Sequence, residues 1–465
     1  MKRFLAAALG VCAVVGAALT TDVAAQKRQI GINIVLKTDI TSTILADLSR
    51  HGAVLDTLPA IDALTMRIAE DQLAAIRGKS YVAAANPDAE RKGAPIDSVE
   101  ATEFTTGINT WDLDAVNVTD FGSTARKVAQ DGAGVYVAVL DTGLLDSWRQ
   151  YFPQERIATQ FATAFSGGGG EQGAVPTVPN QWEHDQNSHG THVTSTILGY
   201  QFGASRVNGV APRATVIPVK VLGQSGSGWS SMIAAGIVYV TDLARGPLAG
   251  HPVVINMSLG GSQLDAVEKA AVDYAVANGV IVVAAAGNEG EAGMGYPGAY
   301  APVISVAASG WTGEWTTPTS AWWRTLDVQD PTAAANFYIT DFSSRQKAGQ
   351  DLDVAAPGSW VVGPYQNQSG NISYFFLGGT SMASPHVAGI AALMVQKDPA
   401  LRQAQIETIL ESTAIALPAG CRKVIDPNVG PTEFCWGADA TGAGLATANA
   451  ALNAVGGSGQ ARKGK

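Results

Sequence analysis

A single serine lies where a glycine-rich turn enters a helix of small residues. The segment reads G-G-T-S-M-A-S-P-H-V-A-G from Gly378 to Gly389, and the serine is Ser381. Alanine and glycine let such a helix pack closely, while its first backbone N–H groups and its positive end face whatever lies above the serine. This setting suits a nucleophile whose reaction produces an oxyanion, although a serine at a helix start can also be an ordinary N-cap.

A nucleophilic serine needs a base, and the base needs a carboxylate that orients it. An almost wholly apolar strand from Val135 ends in a carboxylate at Asp141, just before a turn. Buried parallel strands carry chemistry at that end. The segment N-S-H-G-T-H-V, residues 187–193, offers His189 and His192 at the start of a predicted helix. These residue types together predict acyl transfer through a serine, a histidine and an aspartate.

The order Asp141, His189, Ser381 along the chain resembles the subtilisin-type serine proteases, the subtilase family. A further motif, A-A-A-G-N-E-G from Ala284 to Gly290, resembles the asparagine loop with which that family holds an oxyanion. The resemblance therefore implies this role for Asn288. Each motif alone also fits a turn or a cap, but their common order makes the resemblance specific.

The resemblance also implies a substrate cleft between two strands, which could pair with an extended peptide and give affinity without sequence preference. A glycine at the base of the pocket for the residue before the cut bond, with no acid beside it, predicts a preference for large apolar side chains. The carboxylate of Glu289 at the rim of this pocket predicts that basic residues are also tolerated there. The walls and base are implied to be Ser258, Leu259, Gly260, Ala285, Ala286, Gly287 and Gly295.

Two other classes of function stay open on the sequence. One is a non-proteolytic binding protein on the same scaffold, which the complete set of motifs disfavours. The other is an ester hydrolase, which is disfavoured because no G-x-S-x-G motif is present. The remaining histidines near the motifs are assigned structural roles, His192 beneath the site and His386 in the helix that follows the serine.

The composition is that of a large globular protein. The chain has 465 residues, of which 46% are hydrophobic and 15% charged, so it can bury a sizeable core. Its net charge of −10 argues against nucleic acid, whose phosphates attract basic surfaces. We expect a monomer that acts on proteins and peptides, with no cofactor needed for the chemistry.

The N-terminus predicts export. Two basic residues precede an apolar stretch that is short for a membrane span, and Val23-Ala24-Ala25 has the small-residue pattern of a signal-peptidase site. We therefore predict a signal peptide over residues 1–25 and a secreted protein, extracellular or periplasmic, with no membrane attachment. A lipoprotein signal at Cys12 is the alternative, but Val11 is too bulky for that cleavage.

Removal of the signal leaves Cys421 and Cys435, and an even pair in an oxidising compartment predicts one disulfide. Pro427 and Pro431 between them predict a loop that the bond closes. Two thiols without further ligands nearby argue against a metal site. The resemblance leaves structural calcium open, but the segment Gln201-Phe202-Gly203-Ala204 lacks the asparagine usual there, so metal ligands stay unknown.

The chain divides into four predicted parts. Strands and helices alternate from residue 29 to about residue 86, which resembles the subtilase propeptide, an inhibitor whose tail enters the active-site cleft. A module retained in the mature protein is the alternative. Polar residues after 88 predict a processing linker cut within residues 89–106. The parts are a signal peptide (1–25), a propeptide (26–104), a catalytic domain (105–455) and a flexible tail (456–465).

Continuous apolar strands separated by amphipathic helices predict an α/β fold in which helices cover both faces of a mostly parallel sheet. This is the three-layer fold that the resemblance implies for roughly residues 105–452. Two insertions depart from the family pattern. One is the cysteine loop, and the other, from Trp311 to about Phe337, carries four tryptophans that form either a small core of their own or an accessory binding surface.

Overall fold

The structure, a computed structural model, describes residues 27–101, 109–120, 125–169, 174–317, 321–367 and 369–456. The predicted signal peptide, the predicted boundary at residues 104–105 and the tail from residue 457 lie outside this part. None of the helices in the described ranges is long and apolar enough to cross a membrane.

The N-terminal module (residues 27–87) is an antiparallel sheet of order β2-β3-β1-β4 with two helices. Alternating apolar residues of its strands, such as Ile32 and Leu64, share a core with Ile44 and Leu48 of the first helix. The elements are β1 (Gln29–Leu36), α1 (Ser42–Leu48), β2 (Gly52–Leu58), β3 (Ala63–Ala69), α2 (Leu73–Arg77) and β4 (Val82–Pro87). This is the alternation that the sequence pattern predicts.

The cleft segment (residues 88–101) follows the module and contains two short strands, β5 (Glu90–Lys92) and β6 (Asp97–Glu100). The sequence predicts only a polar linker here. The strands form because each finds a partner far along the chain, so that β5 pairs with residues 227–229 and β6 with residues 375–378. Long-range pairing of this kind leaves little local sequence signal.

The main domain (described residues from 109 to 456) holds the remaining elements. Its helices are α3 (Trp111–Ala115), α4 (His189–Leu198), α5 (Ser230–Arg245), α6 (Ala266–Ala277), α7 (Trp322–Thr325), α8 (Thr380–Lys397), α9 (Gln403–Thr413) and α10 (Ala448–Ala454). Its strands are β7 (Tyr136–Asp141), β8 (Thr163–Ala164), β9 (Tyr200–Phe202), β10 (Ser205–Val207), β11 (Thr215–Lys220), β12 (Ser227–Trp229), β13 (Val253–Met257), β14 (Ile281–Ala285), β15 (Ile304–Trp311), β16 (Phe337–Ile339), β17 (Val354–Pro357), β18 (Val361–Gln366), β19 (Ile372–Gly378), β20 (Gly420–Asp426) and β21 (Gly430–Trp436).

The central sheet has the order β16-β15-β14-β13-β7-β11-β8, with β17 also paired to β15. Its pairings are parallel except that of β16. Successive residues of β7 point to opposite faces, so Val137 and Val139 join the core beneath α4 and α8, whereas Ala138 and Leu140 join the core beneath α5 and α6. A mostly parallel sheet covered on both faces confirms the predicted fold class.

Residues before the main domain complete the starts of two of its helices. Asp88 accepts hydrogen bonds from the Ser231 N–H at 3.0 Å and the Ser230 hydroxyl at 2.8 Å, at the N-terminus of α5. Asn86 accepts from the Ala266 N–H at 3.0 Å, at the start of α6. Both contacts satisfy N–H groups that a helix start leaves without an internal acceptor.

The tryptophan insertion packs inward. Trp311, Trp322 and Trp323 are buried, and Trp322 stacks on Phe376 with ring centroids 5.6 Å apart. Trp111 of α3 lies in the same cluster. Neither alternative holds as stated, because these rings join the main core of the domain and form neither a separate small core nor a surface presented to a partner.

The cysteine segment is a β-hairpin, so the prediction of a loop was wrong. Strands β20 and β21 pair in antiparallel register, and Cys421 lies directly opposite Cys435, with which it forms a disulfide. Gly430 takes a left-handed φ of 88° where the second strand begins. Pro431 is tolerated because, among the described residues, β20 and β21 form a sheet of two strands, so that Pro431 lies on an edge strand.

Candidate active site

The predicted chemical residues meet at one edge of the central sheet. Asp141 is the last residue of β7, Ser258 follows β13 and Asn288 follows β14. Carboxyl ends of parallel strands share one edge, which is where open α/β sheets place their crevices. Helices α4 and α8 begin at this edge and supply His189 and Ser381.

His189 and Asp141 form a fully buried pair. The Nδ1 atom of His189 lies 2.8 Å and 3.0 Å from the two carboxylate oxygens of Asp141. The Nε2 atom is buried and has no hydrogen-bond partner among the described residues. A carboxylate acceptor at Nδ1 places the ring proton on that atom and leaves Nε2 as the atom able to accept another.

A buried polar shell holds the Asp141 carboxylate, and the sequence reasoning missed it. The Thr142 N–H donates to Asp141 at 2.6 Å, and the Thr142 hydroxyl donates to Asp185 at 2.8 Å. The Lys220 ammonium donates to the Thr142 carbonyl. Burial lowers the pKa of Lys220 and raises that of Asp185. Lys220 ends β11 and Asp185 lies in the loop before α4, so both resemble ordinary surface residues in sequence.

Ser381 lies in the first turn of α8 and is contacted by Ser258. The Ser381 hydroxyl donates to the Ser258 carbonyl oxygen at 3.2 Å, and the Ser258 hydroxyl donates to the Ser381 carbonyl oxygen at 2.8 Å. The hydroxyl is thus turned toward Ser258 and not toward the His189 ring. A hydrogen bond between a catalytic serine and its histidine often becomes short and well aligned only when substrate is bound.

The Asn288 amide has a fixed orientation. Its Oδ1 accepts from the Thr380 N–H at 2.9 Å and from the Thr380 hydroxyl at 2.8 Å. Because Oδ1 is held by two donors, the Nδ2 group takes the other side of the amide. Asn288 lines the cleft together with Ser381. A Cβ built on Gly379 would lie 3.6 Å from Asn288 Nδ2 and 3.7 Å from the Ser381 backbone nitrogen, so these two donors lie near each other.

The predicted substrate residues surround the same cleft, which has a volume of about 720 Å³. Leu259, Gly260, Ala285 and Gly287 line it directly. Gly295 lies behind them, 3.7 Å from the position of a Cβ built on Gly260. Three predicted residues do not line the cleft: Gly295, Ala286 and Ser258. Ala286 is buried and acts through its carbonyl, which accepts from the Gly295 N–H, and Ser258 faces Ser381.

The cleft segment runs through this space. Lys92 exchanges both backbone hydrogen bonds with Gly260, each 2.9 Å long, and the Gly93 N–H donates to the Gly226 carbonyl. A Cβ built on Gly93 would lie 2.9 Å from the Ser258 carbonyl oxygen and 3.3 Å from His189 Cε1. The chain's own backbone therefore lies beside the candidate catalytic residues as an added strand.

The two other histidines near the motifs, His192 and His386, have structural partners. His192 Nε2 lies 3.1 Å from the Val361 carbonyl oxygen, and burial lowers the pKa of His192 to about 3, so its ring stays neutral. His386 lies between the Asp112 carboxylate at 3.0 Å and the Met382 carbonyl at 2.9 Å. Neither ring faces Ser381.

One acidic cluster is present among the described residues. Oxygens of Asp351, Asp353 and Glu407 lie within 4.8 Å of one another. Burial raises the pKa of both Asp353 and Glu407 to about 7. Acidic clusters occur without a metal, so we assign no calcium ligand there.

Comparison with known sequences places the chain in a family. The profile described as "Subtilase family" matches residues 132–456, and the chain belongs to this family. Subtilisin DY from Bacillus licheniformis is 36% identical over 290 residues, which are 62% of this chain and 85% of that protein. Subtilisin E from Bacillus subtilis (strain 168) is also 36% identical over 290 residues, which are 62% of each protein.

Comparison with solved structures gives similar relatives. Sphericase is 29% identical with a TM-score of 0.52 over 75% of this chain and 99% of that chain. Fervidolysin from Fervidobacterium pennivorans, at 23% identity, has a TM-score of 0.63 over 92% of this chain and 61% of that chain, and so shares the fold. The chain is accordingly a subtilisin-like serine endopeptidase.

Proposed function

We propose that Ser381, His189 and Asp141 hydrolyse peptide bonds through an acyl-enzyme. Ser381 attacks the scissile carbonyl while His189 Nε2 takes its proton and then gives it to the leaving amine. Asp141 keeps the ring oriented and stabilises its charged form. The observation that carries the proposal is the buried His189, which is bound to Asp141 at 2.8 Å through Nδ1 and leaves Nε2 without a partner among the described residues.

Asn288 and the backbone N–H of Ser381 supply the oxyanion site in this proposal. The amide nitrogen is oriented by the two bonds that Thr380 makes to Oδ1, so no reorganisation is needed as charge develops. In subtilisin itself, loss of the equivalent donor lowers turnover by roughly 10²- to 10³-fold.

Substrates bind as an extended strand, as the cleft segment does. The backbone pairing at Gly260 is independent of side chains and gives broad specificity. The apolar walls at Leu259 and Ala285, with glycine at Gly295, support a preference for large apolar residues before the cut bond. A peptide library cleaved mainly after Asp or Glu would contradict this preference.

The protein is made as a secreted zymogen in this proposal. The predicted signal peptide (1–25) exports it, and the module with the cleft segment blocks the active site until the chain cuts itself within residues 89–106. We expect the cut near residues 93–96, because a Cβ built on Gly93 would lie 3.3 Å from His189 Cε1 and residues 94–96 line the cleft together with Ser381. Mass spectrometry of the mature protein locates its N-terminus and so identifies the bond that is cut.

The test is casein hydrolysis by purified mature protein, with and without a serine-directed phosphonylating inhibitor. We expect inhibitor-sensitive hydrolysis, and Ser381→Ala should abolish it and accumulate full-length secreted protein. Ser412→Ala, an exposed helix serine, is the matched control and should be processed normally. Normal processing of Ser381→Ala in a protease-free host would show that another enzyme makes the cut.

A further inference from the structure

A fully buried arginine lies between two cleft-lining residues of the chain, Glu90 and Lys92, and it belongs to the cleft segment and not to the main domain. Arg91 has no exposed surface. Its Nε donates to the Glu268 carboxylate at 3.0 Å, and its Nη2 donates to the same carboxylate and to the Gln263 carbonyl at 2.9 Å. Its Nη1 donates to the Glu90 carbonyl at 3.0 Å. The guanidinium is therefore held on several sides.

Glu268 is an unusual residue for its position. It lies in the first turn of α6 beside Val267, Ala271 and Val272, which face the core, and it is 1% exposed. Burial raises the pKa of Glu268, and the Arg91 guanidinium opposes that shift. A buried carboxylate is costly unless a cation compensates it, and here that cation is the Arg91 guanidinium, which comes from outside the main domain.

The cleft segment that carries Arg91 binds the main domain as an extended substrate would. Strand β5 pairs with β12 on one side, and Lys92 pairs with Gly260 on the other. Arg91 stands two residues before Gly93, where a built Cβ would lie 3.3 Å from His189 Cε1. An extended peptide that binds this cleft places one side chain where Arg91 now lies.

The receptor for the arginine stays with the main domain. Glu268 and Gln263 belong to it, and the negative charge of Asp265 acts on the guanidinium from the same helix start. Release of the cleft segment would leave the Glu268 carboxylate without the cation that now pairs with it.

We propose that Glu268 is a specificity-determining residue that selects peptide and protein substrates carrying arginine at the position of Arg91. This inference rests on the proposed function, since it assigns a substrate class to the same cleft. The enzyme thus recognises a substrate at two positions, by an apolar residue next to the cut bond and by an arginine farther upstream.

The geometry favours arginine over lysine. The guanidinium reaches the carboxylate through Nε and Nη2 and the Gln263 carbonyl through Nη2, which uses its planar fork. A single ammonium cannot reproduce those directions. Citrulline has nearly the shape of arginine but no charge, so it isolates the contribution of the ion pair.

The experiment digests a proteome-derived peptide library with mature enzyme and aligns the products on the cut bond. We expect arginine to be enriched at one fixed position upstream of the cut, and Glu268→Gln to remove this enrichment. Glu289→Gln removes a different carboxylate that lines the cleft, and it should keep the enrichment. Enrichment that is absent in the wild type, or unchanged in Glu268→Gln, would overturn the proposal.

A second measurement needs no variant. A pair of fluorogenic peptides that differ only by arginine or citrulline at the selected position should differ in kcat/KM by about 10-fold or more, as expected for charged hydrogen bonds. Equal values would overturn the arginine pocket while leaving the protease intact. Absence of inhibitor-sensitive casein hydrolysis would instead overturn the proposed function, so the two failures are distinguishable.

Discussion

The two insertions of the main domain are stabilised in opposite ways. The tryptophan insertion buries Trp322 completely against Phe376, whereas the hairpin of β20 and β21 exposes both Cys421 and Cys435 and joins them covalently. The hairpin turns alternate residues, such as Val424, toward the domain. A segment with enough apolar surface is held by burial, while one with little is held by a cross-link.

The insertions also differ in where they act. Phe376 lies on β19, which leads directly into the turn before Ser381, so the tryptophan cluster supports the site from behind. The hairpin contacts the first insertion at its edge, where Phe434 stacks on Tyr338 with ring centroids 5.2 Å apart. Damage to the first insertion should therefore reach the site, and damage to the second should not.

The largest effect is expected from Trp322→Ala. Removal of this buried ring leaves a cavity and should lower the free energy of unfolding by roughly 3–5 kcal/mol, measured by urea in the Ser381→Ala background to prevent self-cleavage. Ile372→Ala is the control on β19, the strand that carries Phe376, because Ile372 is 44% exposed. A loss for Trp322→Ala no larger than that of the control would remove the contrast between the insertions.

A smaller effect is expected from replacing Cys421 and Cys435 together by serine. The chain-entropy relation assigns about 3 kcal/mol to a bond that closes a loop of this length, so thermal and autolytic resistance should fall. Turnover on a peptide substrate should stay nearly unchanged, because the hairpin lies outside the cleft. A large drop in kcat with unchanged folding would mean that the hairpin supports the active site.

The smallest effect concerns pH. Burial raises the pKa of Glu314 in the tryptophan insertion from 4.5 to about 8, against hydrogen bonds from Trp311, Tyr338 and Ser359. Its protonated form is the one that the fold favours, so its stabilising contribution is full below pH 4.5 and is lost as pH rises through about 8.

We expect Glu314→Gln to flatten the fall in melting temperature over that pH range, by roughly 2–4 °C. Glu433→Gln, on the exposed face of the hairpin, is the control and should leave the profile unchanged. Equal pH profiles for the wild type and Glu314→Gln would show that Glu314 does not titrate in this range.

Much of this architecture could be predicted from the sequence because apolar runs are local signals. About a dozen consecutive residues are enough to recognise the strand that ends in Asp141, and the same holds for the small-residue helix after Ser381. The hairpin was missed because Pro427 and Pro431 indicate a loop, while its alternation is short. Strands β5 and β6 were missed because only their distant partners make them strands.

Glu268 shows why specificity is harder to predict than chemistry. In sequence it lies between Val267 and Lys269 of an amphipathic helix, where a glutamate usually faces water. Its burial depends on Arg91, which is 177 positions away. A local sequence pattern cannot predict an ion pair between residues so far apart in the chain.

Helix α5 is anchored by a carboxylate that the enzyme is proposed to discard. Asp88 binds the Ser231 N–H and the Ser230 hydroxyl at the start of this helix, and the proposed processing range begins just after it. Once the N-terminal part has left, the helix keeps its packing but lacks the group that fixed where it begins. The mature enzyme would then be easier to keep folded than to fold again, so its lifetime would depend on how slowly it unfolds.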